Sequence, residues 1–178
     1  LEANFMANGG WNNNTSNRQI GFMGTNAEAR YNSSVWHIGV GLSQPFDLAM
    51  NTMIIPSVRF DYNSLYNQGY SETGANYGLG LNVNSQSYQM SILGANAKVV
   101  HQLSDHNSVN ANLGVSYNFS PTQTYVAASF QGAPGLVFTT NGINPQAVMG
   151  QAGIGYTYKV NETVDVGIRY DLNFQSGY

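Results

Sequence analysis

The segment VDVGIRYDLNF, residues 164–174, interleaves two kinds of residue at every second position. Val164, Val166, Ile168, Tyr170, Leu172 and Phe174 make one set; Asp165, Gly167, Arg169, Asp171 and Asn173 make the other. Side chains of a β-strand alternate between two faces, so this segment demands one wholly apolar face and one polar, partly charged face. The pattern recurs at 109–119, where Val109, Ala111, Leu113, Val115, Tyr117 and Phe119 oppose Asn110, Asn112, Gly114, Ser116 and Asn118. It recurs again in VMGQAGIGYTYKV (148–160), in IIPSVRFDY (54–62) and in VWHIGVGLSQPF (35–46). No stretch carries an i, i+3, i+4, i+7 apolar stripe, so the chain is expected to be all-β.

Eight strands are predicted, at about 2–13, 18–31, 34–46, 51–66, 86–103, 107–125, 146–160 and 163–175. Two of them change phase partway. Ile20 and Phe22 give way to Ala27, Ala29 and Tyr31, and Met90 and Ile92 to Leu93, Ala95, Ala97 and Val99, which predicts β-bulges at both places. Connectors alternate between short polar turns, at 103–108 and 159–163, and long polar links, at 67–87 and 130–145. Short turns at one end and long loops at the other match the outer-membrane barrel pattern.

Which face meets solvent decides the class. In a soluble sandwich the apolar face is inside; in a membrane barrel it faces lipid and the polar face lines the interior. Charged residues are 8% of the chain, with six Lys plus Arg and a formal net charge of -3, too few for an ordinary soluble surface and no basic footprint for nucleic acid. The 42% hydrophobic content nevertheless excludes disorder by composition. The polar face holds chiefly Gly, Asn, Ser and Gln, groups suited to a confined, hydrated interior. Arg59, Asp61, Lys98, Lys159, Asp165, Arg169 and Asp171 are its expected lumen-lining charges, able to pair there. The apolar face is free of charge through 164–174 and 109–119, and aromatics close its runs at Tyr117, Phe119, Tyr156 and Tyr158, as at a membrane interface. The alternation alone leaves a membrane barrel and a soluble barrel or sandwich both open.

Candidate chemistry is sparse. Cysteine is absent, which removes thiolate chemistry and disulfides. His37, His101 and His106 match no metal-ligand spacing and read as incidental polar residues. No Gly-x-Ser-x-Gly elbow exists, and GLGLN (78–82) opens no helix that could hold a phosphate. Glu72 and Asp61 read as structural carboxylates. No catalytic residue, cofactor or metal is expected.

Two segments resemble the translocator domain of autotransporters, the type V secretion proteins of Gram-negative bacteria. After a strand ending in an aromatic-rich stretch comes an aromatic-Ser-Glu-x-Gly-Ala segment, here Tyr70, Ser71, Glu72, Thr73, Gly74 and Ala75. Further on stands an Ala-Ser-Phe-x-Gly-Ala-Pro-Gly loop, here Ala128, Ser129, Phe130, Gly132, Ala133, Pro134 and Gly135, with Phe138 and Gly142 downstream. The resemblance implies an antiparallel up-and-down transmembrane β-barrel in the outer membrane. Its implied role is to assist export of an upstream passenger segment to the cell surface, with outer-membrane lipid and the barrel-assembly machinery as partners and no reaction to catalyse. Family barrels have about twelve strands and end on a strand with a C-terminal aromatic residue. The expectation is therefore that residues 1–178 form a single domain comprising the later strands of an incomplete barrel, without its first strands and its closing strand. The alternatives are a small outer-membrane porin or adhesin with binding loops, and a soluble β-barrel or sandwich binding module.

Overall fold

The computed structural model describes residues 1–121 and 123–175. Seven strands form the main antiparallel sheet: β1 (Glu2–Ile20), β2 (Thr25–Ser43), β4 (Thr52–Asn67), β7 (Gln86–Ser104), β8 (Asn107–Asn118), β11 (Val148–Lys159) and β12 (Asp165–Gln175), paired in that order. A short β3 (Phe46–Ala49) doubles back on β4. β5 (Tyr70–Ser71), β6 (Leu81–Val83), β9 (Tyr125–Phe130) and β10 (Val137–Asn141) form a second sheet in the order β10-β9-β6-β5. The main sheet curls into a half-barrel whose two edges, β1 and β12, lack a neighbour among the described residues.

Register carries the alternation across the whole wall. One row reads Pro56, Ala97, Leu113, Ala152 and Leu172; another reads Val40, Phe60, Leu93 and Tyr117. The opposite face reads Gly41, Arg59, Gly94 and Ser116, and beside it Ser43, Ser57, Asn96, Gly114, Gln151 and Asn173. Because the side-chain period is two, one consistent register keeps the apolar band on one side. That side is the open one: Leu113 is 65% and Ile168 75% exposed, whereas Gly39 and Gly41 on the polar side are buried. From the Val109–Tyr156 row to the Leu93–Tyr117 row, β8 rises about 27 Å at about 3.4 Å per residue, or about 21 Å after a tilt of about 40°, close to the apolar band of about 25 Å in membrane barrels. Trp11 and Trp36, edge to face at 5.3 Å, and Tyr117 and Phe119, at 5.0 Å, lie toward the long-loop end. Tyr156 and Tyr158 lie near the short turns at the other end.

The structure corrects several expected boundaries. The three strands predicted at 2–13, 18–31 and 34–46 are the two strands of one hairpin: β1 runs on to Ile20, a single 3-10 turn spans Gly21–Met23, and β2 starts at Thr25. The phase slip there is the turn itself, reversed by Gly24 at φ 61°, a left-handed conformation that glycine adopts without steric cost. No bulge interrupts β7 at Ile92, for its pairing with β4 runs without a shift from Thr52↔His101 to Asn67↔Gln86. Met90 and Ile92 therefore lie on the polar face, and Leu93 on the apolar one. The strand predicted at 107–125 stops at Asn118, and the links at 67–87 and 130–145 are not loops throughout, since they carry β5, β6 and β10.

The second sheet is an upper tier of the wall. Its order β5-β6-β9-β10 reproduces β4-β7-β8-β11, each upper strand being the chain continuation of the one below. Among the described residues only the β1–β2 hairpin, nineteen residues per strand, passes through both levels unbroken. The buried apolar residues gather here too: Ile20, Ala27 and Ala29 on the hairpin, Val83 and Ala128 in the tier.

Leu113 sits in the middle of the apolar band. Leu113→Arg should lower the unfolding free energy in lipid vesicles by about 2–4 kcal/mol, whereas Gln151→Lys on the opposite face should cost less than about 1 kcal/mol. Urea titration of the vesicle-inserted protein, followed by tryptophan fluorescence, distinguishes the two.

Candidate functional site

The polar face is built from side chains that lie flat along the wall. Arg59 and Asp61, two apart on β4, share this face, and Arg59 Nε donates to both Asp61 oxygens at 2.9 Å. Arg59 Nη1 reaches Asn4 Oδ1 on β1 at 3.2 Å. His37 Nε2 stands 2.8 Å from Asp61 Oδ1, and Asn8 Nδ2 stands 3.1 Å from His37 Nδ1. One tautomer satisfies both contacts: Nε2–H donates to the carboxylate and Nδ1 accepts from the amide. A second cluster repeats the motif, with Arg169 Nε donating to Asp171 at 2.7 and 3.0 Å and Arg169 Nη2 donating to Asn112 Oδ1 at 3.0 Å.

Glycines between these groups supply the room. A Cβ on Gly39 would stand 2.6 Å from Asp61 Oδ1, and one on Gly114 would stand 2.7 Å from Asn96 Nδ2 and 2.8 Å from Gln151 Nε2. The glycine-rich polar set of the sequence is thus a steric partner to the long polar side chains of adjacent strands. A groove of about 440 Å³ separates the clusters, lined by both arginines, Asp61, Lys98, Asn112 and Gln151 among others. Lys159 and Asp165 occupy opposed register positions at the short-turn end, beside Asp105 and His106.

All seven charges expected on the polar face stand on it. The pairs they form are within a strand, two residues apart, rather than across strands. Sequence reasoning missed the part played by His37, Asn4, Asn8 and Asn112. The parity of His37 with Gly39 and Gly41 was the available signal. His101 and His106 lie outside this network: His101 Nδ1 meets Thr52 Oγ1 at 2.7 Å, and His106 Nδ1 meets the Lys159 carbonyl at 3.0 Å.

The segments 70–75 and 128–135 come together in the upper tier. Glu72 is 4% exposed. Arg18, from the top of β1, grips it as a fork, Nε to Oε1 at 3.1 Å and Nη2 to Oε2 at 2.5 Å. Arg18 Nη2 also donates to the Leu79 carbonyl at 2.9 Å, and the Leu81 N–H donates to Glu72 Oε2 at 2.8 Å. Gln131 Nε2 donates to the Glu72 carbonyl at 2.6 Å. Gly78, at φ 72°, presses on Gly132: a Cβ on Gly78 would stand 2.6 Å from the Gly132 Cα. Tyr70 stacks on Tyr31 with ring centroids 4.5 Å apart. Burial by itself would raise the Glu72 carboxyl, but the Arg18 hydrogen bond, the Leu81 amide and the Arg18 charge outweigh it and hold the group below the ordinary carboxylate range. Arg18 stands over fifty residues away in sequence, and no local pattern pairs the two.

The family model for the autotransporter beta-domain matches residues 1–171. The chain belongs to the autotransporter β-domain family. It is an outer-membrane β-barrel domain of Gram-negative bacteria. Its fold is similar to the translocator domain of the autotransporter NalP from Neisseria meningitidis, with a TM-score of 0.67 at 17% identity over 97% of this chain. The match takes in 54% of the NalP chain, so this autotransporter β-domain chain spans about half the length of that structure. No curated protein matches the chain by sequence.

Two outcomes test this geometry. Asp61→Asn should lower the unfolding free energy of the folded domain by about 1–2 kcal/mol, read from the shift of its urea transition, because Arg59 and His37 lose a shared charged acceptor. Glu72, with its folded-state pKa depressed, stabilises the tier above its unfolded value of about 4.3. That contribution is lost as pH falls through the folded value. Hydrogen exchange at the Leu81 amide, corrected for intrinsic rates, should accelerate only once the pH has fallen below the ordinary carboxylate value.

Proposed function

We propose that this chain is the pore wall of a translocator that assists export of an upstream passenger segment to the bacterial surface. The observation that carries the reading is the two-faced wall of a family member: a charge-free apolar band about as tall as a bilayer core, backed by a continuous hydrogen-bonding face. Lipid covers the band, while Arg59, Asp61, Lys98, Lys159, Asp165, Arg169 and Asp171 line a hydrated lumen. In-strand pairing fixes Arg59 with Asp61 and Arg169 with Asp171, so the wall stays polar without presenting a sticky surface to a chain in transit. The segment motifs at Tyr70–Ala75 and Ala128–Gly135 stand at the lumen's long-loop mouth.

The two free edges set a further requirement. An unpaired strand edge in hydrocarbon leaves a ladder of N–H and C=O groups unsatisfied, at several kcal/mol each, so β1 and β12 must pair with further strands to close the barrel. That the chain spans about half of the NalP structure supports a wall completed by further strands. Strands of this kind reach the membrane unfolded and are inserted by the barrel-assembly machinery. Export by this route makes and breaks no covalent bond, so the barrel acts as a conduit rather than an enzyme.

The test is display. A reporter epitope fused upstream of the full β-domain should become accessible to antibody and to added protease on intact cells. Leu113→Arg should abolish display together with the folded barrel, and Gln151→Lys should preserve both. A reporter that stays inside the cell envelope while the wild-type barrel is folded in the outer membrane overturns the export role.

A further inference from the structure

The upper tier is joined to the wall in an uneven way. The ladder is interrupted between β4 and β5, β6 and β7, β8 and β9, and β10 and β11, and among the described residues of these links only scattered backbone bonds remain, from Gln68 N–H to the Asn32 carbonyl at 2.9 Å, from Asn84 N–H to the Ala127 carbonyl at 3.0 Å and from Phe119 N–H to the Ser91 carbonyl at 2.8 Å among them. Gly69 marks the first break and packs against the second, where a Cβ would stand 2.8 Å from the Ser85 nitrogen and 2.9 Å from the Val83 carbonyl. Pro145 sits in the last, where it can donate no ladder hydrogen bond. A cavity of about 950 Å³ opens along this line. Its wall side is Val35, Leu65, Tyr88 and Met90 on the polar face, and its roof is Tyr125 and Ile143. The Tyr88 hydroxyl, rising from the polar face, donates to the Tyr125 carbonyl at 2.9 Å, so the tier leans inward over the lumen.

On its other side the tier is fixed to the one element that does not break, the β1–β2 hairpin. Backbone bonds join Glu28 and Thr73 in both directions, at 2.8 and 2.7 Å. The Arg18 fork crosses above Ala27, which is 1% exposed, to reach Glu72. A row of broken strands on one side and a part-buried ion pair on the other are the parts of a hinge and a latch.

We propose that the upper tier is a gate over the long-loop mouth of the barrel, pivoting on the line of strand breaks and held shut by the Arg18–Glu72 pair. The proposal rests on the barrel reading above for the word mouth, but the hinge itself is a property of this chain. Opening separates Glu72 from Arg18, frees residues 70–83 and 125–141 as one body, and exposes the wall face at Val35, Leu65 and Met90. The hairpin remains as a fixed post. The apolar residues Leu65 and Met90, out of place on a polar face, are explained as the seat that the closed tier covers.

Hydrogen exchange and thiol labelling test the gate in the full outer-membrane protein. With Glu72→Gln, amides of 70–83 and 125–141 should exchange at least tenfold faster as a single block, while β1 and β2 amides stay at wild-type rates. Acceleration confined to the amides beside Glu72, or none, overturns the hinge. Because the chain has no cysteine, Met90→Cys places one thiol under the roof. A bulky maleimide added outside the cells should label it at least fivefold faster when combined with Glu72→Gln, and equal rates overturn the gate. Glu28→Cys with Thr73→Cys, on directly opposed hydrogen-bonded positions, supplies a lock that does not disturb the ion pair. In the Glu72→Gln background, oxidation of that pair should restore slow block exchange and reduction should release it. Exchange that ignores the lock also overturns the proposal. These readouts follow the tier whether or not a passenger is exported, so failure of the gate and failure of the export role are separable.

Discussion

A backbone in hydrocarbon finds no water to satisfy its amides, and the rest of this structure follows from that constraint. Seven long strands answer it by pairing along nearly their whole length, in simple neighbour order and with few register shifts. Once the backbone is committed to a continuous sheet, the alternation of side chains has only two places to go. The lipid side takes Val, Leu, Ile and the aromatics and keeps them exposed. Within the band the charges are confined to the other side, where Arg59 and Arg169 find their partners close by.

Confinement explains how those partners are chosen. Arginine reaches the carboxylate two residues along its own strand because both lie on one face and the intervening residue points to lipid. The bond therefore needs no help from strand pairing. The adjacent strand contributes a glycine where the charged pair lies down, as Gly39 does for Arg59 and Asp61. Bulk and absence of bulk alternate from strand to strand, which keeps the face flat and polar. A soluble protein of this size would put its fully buried residues at the centre of the sheet. Here the buried apolar residues sit at the top, where the tier meets the hairpin, because the band itself is solvated by lipid.

Arg18 and Glu72 show a second use of burial. A fork-shaped guanidinium and a carboxylate that also accepts from a backbone amide form a strong contact when both are shielded, and a costly one to leave half-made. Such a pair specifies one docking geometry between elements that have little apolar surface to hold them together. The tier is attached by direction-dependent bonds at Glu28, Thr73, Glu72 and Gln131 beside a small cluster of buried apolar residues, and this suits a part that has to come away as a unit.

How much of this was legible in the sequence follows from the range of each interaction. Alternation is local, so the class of fold, the two faces, the lipid band and the face assignment of Arg59, Asp61, Lys98, Lys159, Asp165, Arg169 and Asp171 could be read residue by residue. The segments at Tyr70–Ala75 and Ala128–Gly135 could be recognised as related to a family. Periodicity failed where a break in phase has more than one cause. At Gly21–Gly24 the break is a turn, and at Met90–Leu93 it is a change in what covers the polar face. Partners far apart in the chain were invisible, since neither the stacking of the four upper strands in the order of the lower ones nor the reach of Arg18 across β2 leaves a periodic trace. The sequence by itself determined a two-faced antiparallel wall, because a β-strand sorts its side chains by position alone. Only the tertiary structure decided that the long links form a second tier and that Glu72 is buried beneath Arg18, because those outcomes depend on which strands become neighbours.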